Sequence, residues 1–267
     1  MQAITEFRRR LSEGEVLIGV SVGFTDPLVT EALADSVDFI WLDAEHSPMS
    51  PEMMSGHLLA ARAKAKPAIV RIPSPDVPYI KGALDSGAEG IVVPQIQTEA
   101  EVKQVVENCR YEPVGRRGYG PRVPTNYGRD GGRDYMDRAN EAIFVSVQIE
   151  TRSAYDALDE IVRVPGLDSV VIGPWDLSGA LGRLGEVEHP DVVAAIETII
   201  QKAREAGIFV GAGMGPDREY ACKMADRGVQ WLQVGNDFSH MISHTNQVTA
   251  HIRRHLGQVA SMTGSGY

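Results

Sequence analysis

The sequence predicts an α/β fold of the (β/α)8 barrel type, and three observations predict it. Eight short runs rich in β-branched and aliphatic residues recur along the 267-residue chain. Stretches with apolar residues at spacings of three and four alternate with them, and the first run opens into VSVGFTDP rather than the glycine-rich turn of a dinucleotide-binding open sheet. Most of the runs are apolar almost without interruption, the pattern of parallel strands covered on their outer face. One large core is feasible at this length.

In chain order the predicted strands are VLIGVSV (16–22), DFIWLD (38–43), PAIVRI (67–72), GIVVPQ (90–95), FVSVQIE (144–150), SVVIG (169–173), IFVGAG (208–213) and VQWLQVG (229–235). Helical periodicity appears in DPLVTEALAD, EAEVKQVVENC, YDALDEIVR and VVAAIETIIQKAREAG. Residues 111–135, rich in Gly, Pro, Arg and Tyr, are too long for an ordinary connection and read as a functional loop within a single domain spanning 1–256. Residues 257–267 lack periodicity and are expected to form a frayed tail.

Charge and composition exclude several classes of function. With 26 Lys+Arg against 36 Asp+Glu the formal charge is −10, which repels nucleic-acid backbones and anionic membranes. No run approaches the ~18 apolar residues of a membrane span, and no export signal follows the amino terminus. Cys109 and Cys222 form no C-x-x-C pair, so neither a zinc cage nor a disulfide framework is expected, and a reducing cytoplasm is the expected setting. GAGMG (211–215) lacks the lysine and spacing of a nucleotide loop. His240/His244 and His251/His255 have a chelating spacing without the surrounding H-E-x-x-H, and read as solvated faces of the last helix.

A barrel carries its chemistry at the carboxyl ends of its strands. There the sequence places Asp43, Glu45 and His46 after the second strand, Arg71 at the third, Gln148 and Glu150 at the fifth, and Asp176 after the sixth. Two carboxylates ending consecutive strands, Glu150 and Asp176, suit a hard divalent cation that keeps positions open for a chelating ligand. A helix-start acid stabilised by the dipole of the following helix is the competing explanation for Glu150. His46 is a candidate base, against the alternative of a surface loop histidine. Arg71 calls for an anionic partner, supplied either by substrate or by a neighbouring acid. No predicted strand contains a lysine, which disfavours Schiff-base chemistry.

The segments LDAEHSP, VQIETRSA and IGPWDLSGALG, with LDSGAEGIVVPQIQTEAE (84–101) and PVGRRGYG (113–120) in the same order, resemble the HpcH/HpaI family of class II pyruvate aldolases. The resemblance extends over nearly the whole chain. It implies a TIM barrel assembled into hexamers, as trimers of dimers, with the last helix exchanged between subunits. It implies cleavage or formation of 4-hydroxy-2-oxo acids to give pyruvate plus an aldehyde, aided by Mg2+, Mn2+ or Co2+, with no nucleotide or flavin. By position, Glu150 and Asp176 match the metal ligands, His46 the base, Asp85 the acid that raises the basicity of that histidine, and Arg71 the group that steadies the enolate oxygen. Gln148, Gly173, Pro174, Trp175 and Asp176 match positions around the bound keto acid. Ser21 stands where several relatives carry a tryptophan, and Trp175 where a smaller residue is usual, so the aldehyde is left open. Arg122 and Tyr127 in the 111–135 loop are candidates for its distal end, with interface packing as the alternative. A CoA-thioester lyase of the citrate-lyase type and a catalytically silent keto-acid binding barrel are the competing functions.

Overall fold

In the computed structural model, which describes residues 1–258, eight parallel strands hydrogen-bond in chain order and close into a barrel. They are β1 (Leu17–Val22), β2 (Phe39–Asp43), β3 (Ala68–Arg71), β4 (Gly90–Val93), β5 (Phe144–Ile149), β6 (Ser169–Ile172), β7 (Phe209–Met214) and β8 (Trp231–Asn236). Each lies within a predicted run or within one residue of it. β1 closes on β8 with a register shift between Gly19 and Ser21.

The barrel interior is filled from below by aromatic rings. Phe39, Phe144 and Trp231 point inward and are fully buried. The space for two of them comes from glycines on neighbouring strands: a Cβ at Gly19 would lie 2.4 Å from the Phe39 ring, and one at Gly211 would lie 2.2 Å from Trp231. Beneath the rings lies a helix that the sequence reading did not pick out, α1 (Gln2–Ser12). Its Ile4, Phe7 and Leu11 recur at helical spacing and are buried against the inward-facing residues of the strands. Phe7 meets Phe39 and Phe144 edge-on, each at 5.5 Å between centroids.

Outside the barrel run α2 (Pro27–Ala34), α3 (Pro51–Ala63), α4 (Val77–Ser86), α5 (Glu99–Cys109), α6 (Arg133–Ala142), α7 (Arg152–Asp156), α8 (Leu158–Ile161), α9 (Pro174–Ala180), α10 (Pro190–Glu205), α11 (Arg218–Arg227) and α12 (Asp237–His255). Their boundaries follow local chemistry. α5 starts in a capping box in which Glu101 N–H donates to Thr98 Oγ1 at 3.3 Å and Thr98 N–H to Glu101 Oε2 at 3.2 Å. α4 stops at Gly87, whose φ of 111° is a left-handed cap suited to glycine.

Two expectations are adjusted. The amphipathic stretch 155–163 breaks at Ala157 into α7 and α8, and the long loop ends where α6 begins at Arg133. The expected tail lies, from residue 259 onward, outside the described residues. His240, His244, His251 and His255 are all exposed along α12. Among the described residues no helix is long and apolar enough to cross a membrane.

Candidate active site

The carboxyl ends of β2 and β3 bring an acid and a base into register, because Asp43 pairs with Arg71 across the ladder. Arg71 donates to both carboxylate oxygens of Asp43, at 2.7 Å from Nη2 and 3.1 Å from Nε. Its Nε also lies 3.2 Å from Glu45 Oε2. Asp43 Oδ1 further accepts the N–H groups of Glu45 and His46 at 3.1 and 3.2 Å, which shapes the turn out of β2. Burial alone would raise the Asp43 carboxyl, but the Arg71 guanidinium and those two N–H groups outweigh it and hold it below the usual range. The guanidinium sits over Trp41, 5.6 Å from the ring centre.

Glu150 follows β5 and is buried. Gln95, in a left-handed conformation at φ 58°, points its N–H at Glu150 Oε1 at 2.8 Å. Gln148, two residues earlier on the strand, donates from its amide to Oε2 at 2.6 Å. A Cβ at Gly173 would lie 3.0 Å from that oxygen and 3.1 Å from the Gln148 amide, so a side chain there would crowd the cradle. Burial, reinforced by the charges of Glu45 and Asp176, pushes Glu150 up to about 7 despite the Gln95 bond. Burial also raises Glu45, with Asp43 and Asp176 adding to the shift and Arg71 opposing it. Asp176 lies in the first turn of α9, exposed, and its carboxylate accepts no hydrogen bond from another side chain or loop N–H among the described residues.

This donor set fits a hard divalent cation. Every candidate ligand atom is a carboxylate oxygen, the nearby guanidinium is already engaged by Asp43 and Glu45, and the neighbouring negative charges add to the burial that lifts Glu150. Among the described residues no cluster of three or more His, Cys, Asp or Glu is placed to hold a metal. Glu150 and Asp176 could hold such a cation while leaving positions for other oxygens. Above the pair opens a cavity of about 220 Å³, lined among others by Asp43, Arg71, Gln148, Trp175 and Asp176.

Comparison with known proteins places this mouth in context. The model of the HpcH/HpaI aldolase/citrate lyase family matches residues 21–244. The chain belongs to this family. It is 34% identical over 245 residues to hydroxypyruvate/pyruvate aldolase of Roseovarius nubinhibens, covering 91% of this chain and 95% of the relative. It is 36% identical over 235 residues to 2-keto-3-deoxy-L-rhamnonate aldolase of Escherichia coli K12, covering 86% of each. A solved HpcH/HpaI aldolase/citrate lyase family protein from Burkholderia cenocepacia superposes with a TM-score of 0.86 at 30% identity, covering 93% of this chain and 99% of that one.

The structure of this family member brings most of the expected site residues together. Arg71, Gln148, Gly173, Pro174, Trp175 and Asp176 line the one cavity, and Glu150 lies beneath it against Gln148 and Gly173. His46 stands on the adjoining loop, its side chain 63% exposed and its Nε2 3.5 Å from Glu45 Oε2. Asp85 is elsewhere: it lies on α4 and pairs with Arg117 at 2.7 Å, and no hydrogen bond or ion pair among the described residues joins it to His46. Tyr127 is exposed, and neither it nor Arg122 lines the cavity. The sequence reading gave Asp43 and Glu45 no role beyond their place at the rim, and it missed Gln95. Asp43 was findable from its equivalent place on the strand next to Arg71. The Gln95 contact depends on a backbone turn that nothing in the local sequence announces.

Proposed function

We propose that this chain is a divalent-metal-dependent aldolase that cleaves, and in reverse forms, 4-hydroxy-2-oxo acids, with pyruvate and an aldehyde as the two halves. The observation that carries the proposal is the convergence of buried Glu150 with Asp176 and Glu45, facing Arg71, at the barrel mouth of a member of an aldolase family. Glu150 and Asp176 would hold Mg2+, Mn2+ or Co2+, which when bound supplies positive charge toward the carboxylate and keto oxygens of the substrate.

The remaining work falls to the chain's own groups. Arg71, fixed by Asp43, presents its guanidinium to the C2 oxygen, where negative charge grows as the bond breaks. His46 accepts the proton of the C4 hydroxyl. The C3–C4 electron pair moves toward C3 and C2 as C4 becomes the aldehyde carbonyl, and a proton delivered to C3 then completes pyruvate. Gln148 holds Glu150 in place and, with the backbone of Gly173, Pro174 and Trp175, forms the wall against which the keto acid rests. No strand of the barrel contains a lysine, which supports this route over a Schiff base.

Assembly is part of the proposal. α12 carries Phe238, Met241, Ile242, Val248 and Ile252 exposed along one stripe, which supports packing of this helix on a second copy and the hexamer of the family resemblance. Because Asp85 pairs with Arg117 within its own copy, an effect of Asp85 on a histidine calls for the His46 of a neighbouring copy. A cytoplasmic setting accords with two unpaired cysteines.

The deciding experiment is a lactate-dehydrogenase-coupled assay of pyruvate release from several 4-hydroxy-2-oxo acids with Mg2+, Mn2+ or Co2+. Release with at least one acid, abolished by EDTA and by Glu150→Ala, is expected. Absence of pyruvate with every acid and metal, or a rate indifferent to EDTA, refutes it. Light scattering after size exclusion checks the hexamer.

A further inference from the structure

Where the long loop returns over α4, one charged side chain is buried beyond what holding the loop requires. Gly115 lets the chain double back on the end of α5, since a Cβ there would lie 2.4 Å from the Arg110 carbonyl oxygen, and Arg117 N–H donates to that carbonyl at 2.8 Å. The turn delivers Arg117 into the protein with its side chain fully covered. Its Nη2 donates to Asp85 Oδ1 at 2.7 Å, and its guanidinium lies over the Tyr111 ring, 4.7 Å from the centre.

The rest of the fork is unused. Nε and Nη1 of Arg117 are buried without a hydrogen-bond partner among the described residues, and so is the Tyr111 hydroxyl. Arg8 shows how an arginine ties backbone together in this protein: Nε and Nη2 donate to the carbonyls of Ala142 and Ile143, and Nη1 to Asp168. Buried donors are almost always partnered, so a guanidinium that leaves Nε and Nη1 idle is kept for its charge and its one bond, both directed at Asp85.

Asp85 faces outward from this mount. Its side chain is 23% exposed, and Oδ2 accepts no hydrogen bond among the described residues. Gly120 keeps that oxygen uncovered, since a Cβ there would lie 3.0 Å from it. Neither Arg117 nor Asp85 lines the cavity at the mouth of its own barrel.

We infer that Arg117 is a positioning residue that acts through Asp85, fixing one carboxylate oxygen so that the other, left open by Gly120, is presented to a proton-carrying nitrogen of a second copy. The inference rests on the aldolase function and the assembly proposed above, and adds to them the group that aims the carboxylate. Tyr111 supplies the face on which the guanidinium rests, so that its charge is held still without being shared with backbone carbonyls.

The test measures pyruvate release with Mn2+ for wild type, Arg117→Met, Gly120→Ala, Asp85→Asn and the double variant Arg117→Met/Asp85→Asn. Arg117→Met and Gly120→Ala should each lower kcat by about 10-fold, the first by freeing the carboxylate and the second by covering it. KM and Mn2+ affinity should stay within about twofold, because the arrangement touches neither the cavity nor the carboxylate pair. Adding Arg117→Met to Asp85→Asn should cost nothing further, which is the signature of one residue acting through the other. If Arg117→Met does not fold, judged by its melting curve, Gly120→Ala alone and combined with Asp85→Asn decides in the same way. A kcat within about twofold of wild type in the folded variants, or a double variant slowed by the full product of the single losses, overturns the positioning role while wild-type turnover keeps the aldolase proposal standing. Absence of pyruvate release by wild type from every 4-hydroxy-2-oxo acid overturns both.

Discussion

Gln148 and Glu150 leave the same strand two residues apart, and the Gln148 amide grips Glu150 Oε2 at 2.6 Å while Gln95 N–H holds the other oxygen at 2.8 Å. The carboxyl is therefore oriented by two neutral donors, in a setting whose burial and neighbouring acids disfavour its charge. Without metal, Glu150 keeps its proton up to about 7, against an ordinary value of 4.5. Below 4.5 the folded and unfolded chains both carry that proton; between 4.5 and 7 only the folded chain does. Stability of the metal-free protein should therefore fall as pH rises through this window and level off above it, a change on the order of 3 kcal/mol from this group. Melting curves of wild type and Glu150→Gln across pH 4.5–8 check this, and the variant should lack the slope. Metal affinity should run the other way, rising up to about pH 7 with a proton released on binding. Calorimetry at pH 6 in two buffers of different ionisation enthalpy measures that proton, and parallel slopes for the two proteins would refute the assignment.

Gly173→Ala is a test of shape alone. Gly173 has φ −99°, which alanine tolerates, so the added methyl acts through its crowding of Glu150 and Gln148. Affinity for Mn2+ should drop about 10-fold, in the range seen when groups that orient metal ligands are disturbed, with little change in melting temperature. An unchanged affinity would mean the cradle yields freely.

Arg71→Lys keeps the charge and loses the planar fork that bonds both oxygens of Asp43. A kcat lower by about 100-fold with Mn2+ affinity retained is expected if the fixed guanidinium steadies the developing oxyanion. Equal losses in kcat and in metal binding would instead place Arg71 in the cation's support.

His46→Ala should cost about 100-fold or more in turnover and leave Mn2+ binding intact, because its imidazole lies on the loop beyond the carboxylate pair. Loss of metal together with turnover would remove it from the role of base.

Phe7→Ala empties the aromatic packing under the barrel, where Phe7 touches Phe39, Phe144 and Trp231. A loss of about 3–5 kcal/mol in urea unfolding is expected, with Mn2+ affinity unchanged in the folded protein. A loss below about 1 kcal/mol would show that α1 contributes little to closing the core.

The barrel was legible because its strands are buried on both faces, so that FIWLD or SVVI admits little besides apolar residues. α1 escaped because its stripe of Ile4, Phe7 and Leu11 is threaded among Glu6, Arg8, Arg9 and Arg10, whose charges dominate the eye although the spacing is helical. Within the site, the rim residues could be named one by one from their places after strands, and the metal pair, His46 and Arg71 were strengthened by resemblance. What the chain order did not display is pairing across the ladder. Asp43 beside Arg71 follows from sheet register, and the raised Glu150 follows from its burial, with two further carboxyls approaching from separate strand ends. The likeness that marks out Asp85 concerns a residue whose partner within this copy is Arg117, a relation set by how the long loop returns over α4.

Since α1 stoppers the barrel from below, the catalytic space is a well with one opening. In the proposed reaction the keto acid occupies its floor near Glu150 and the aldehyde sits nearer the rim. In cleavage the aldehyde must therefore depart before pyruvate, and in synthesis pyruvate must enter first. Steady-state kinetics should show an ordered sequence imposed by the architecture of the helix at the far end rather than by any residue at the mouth.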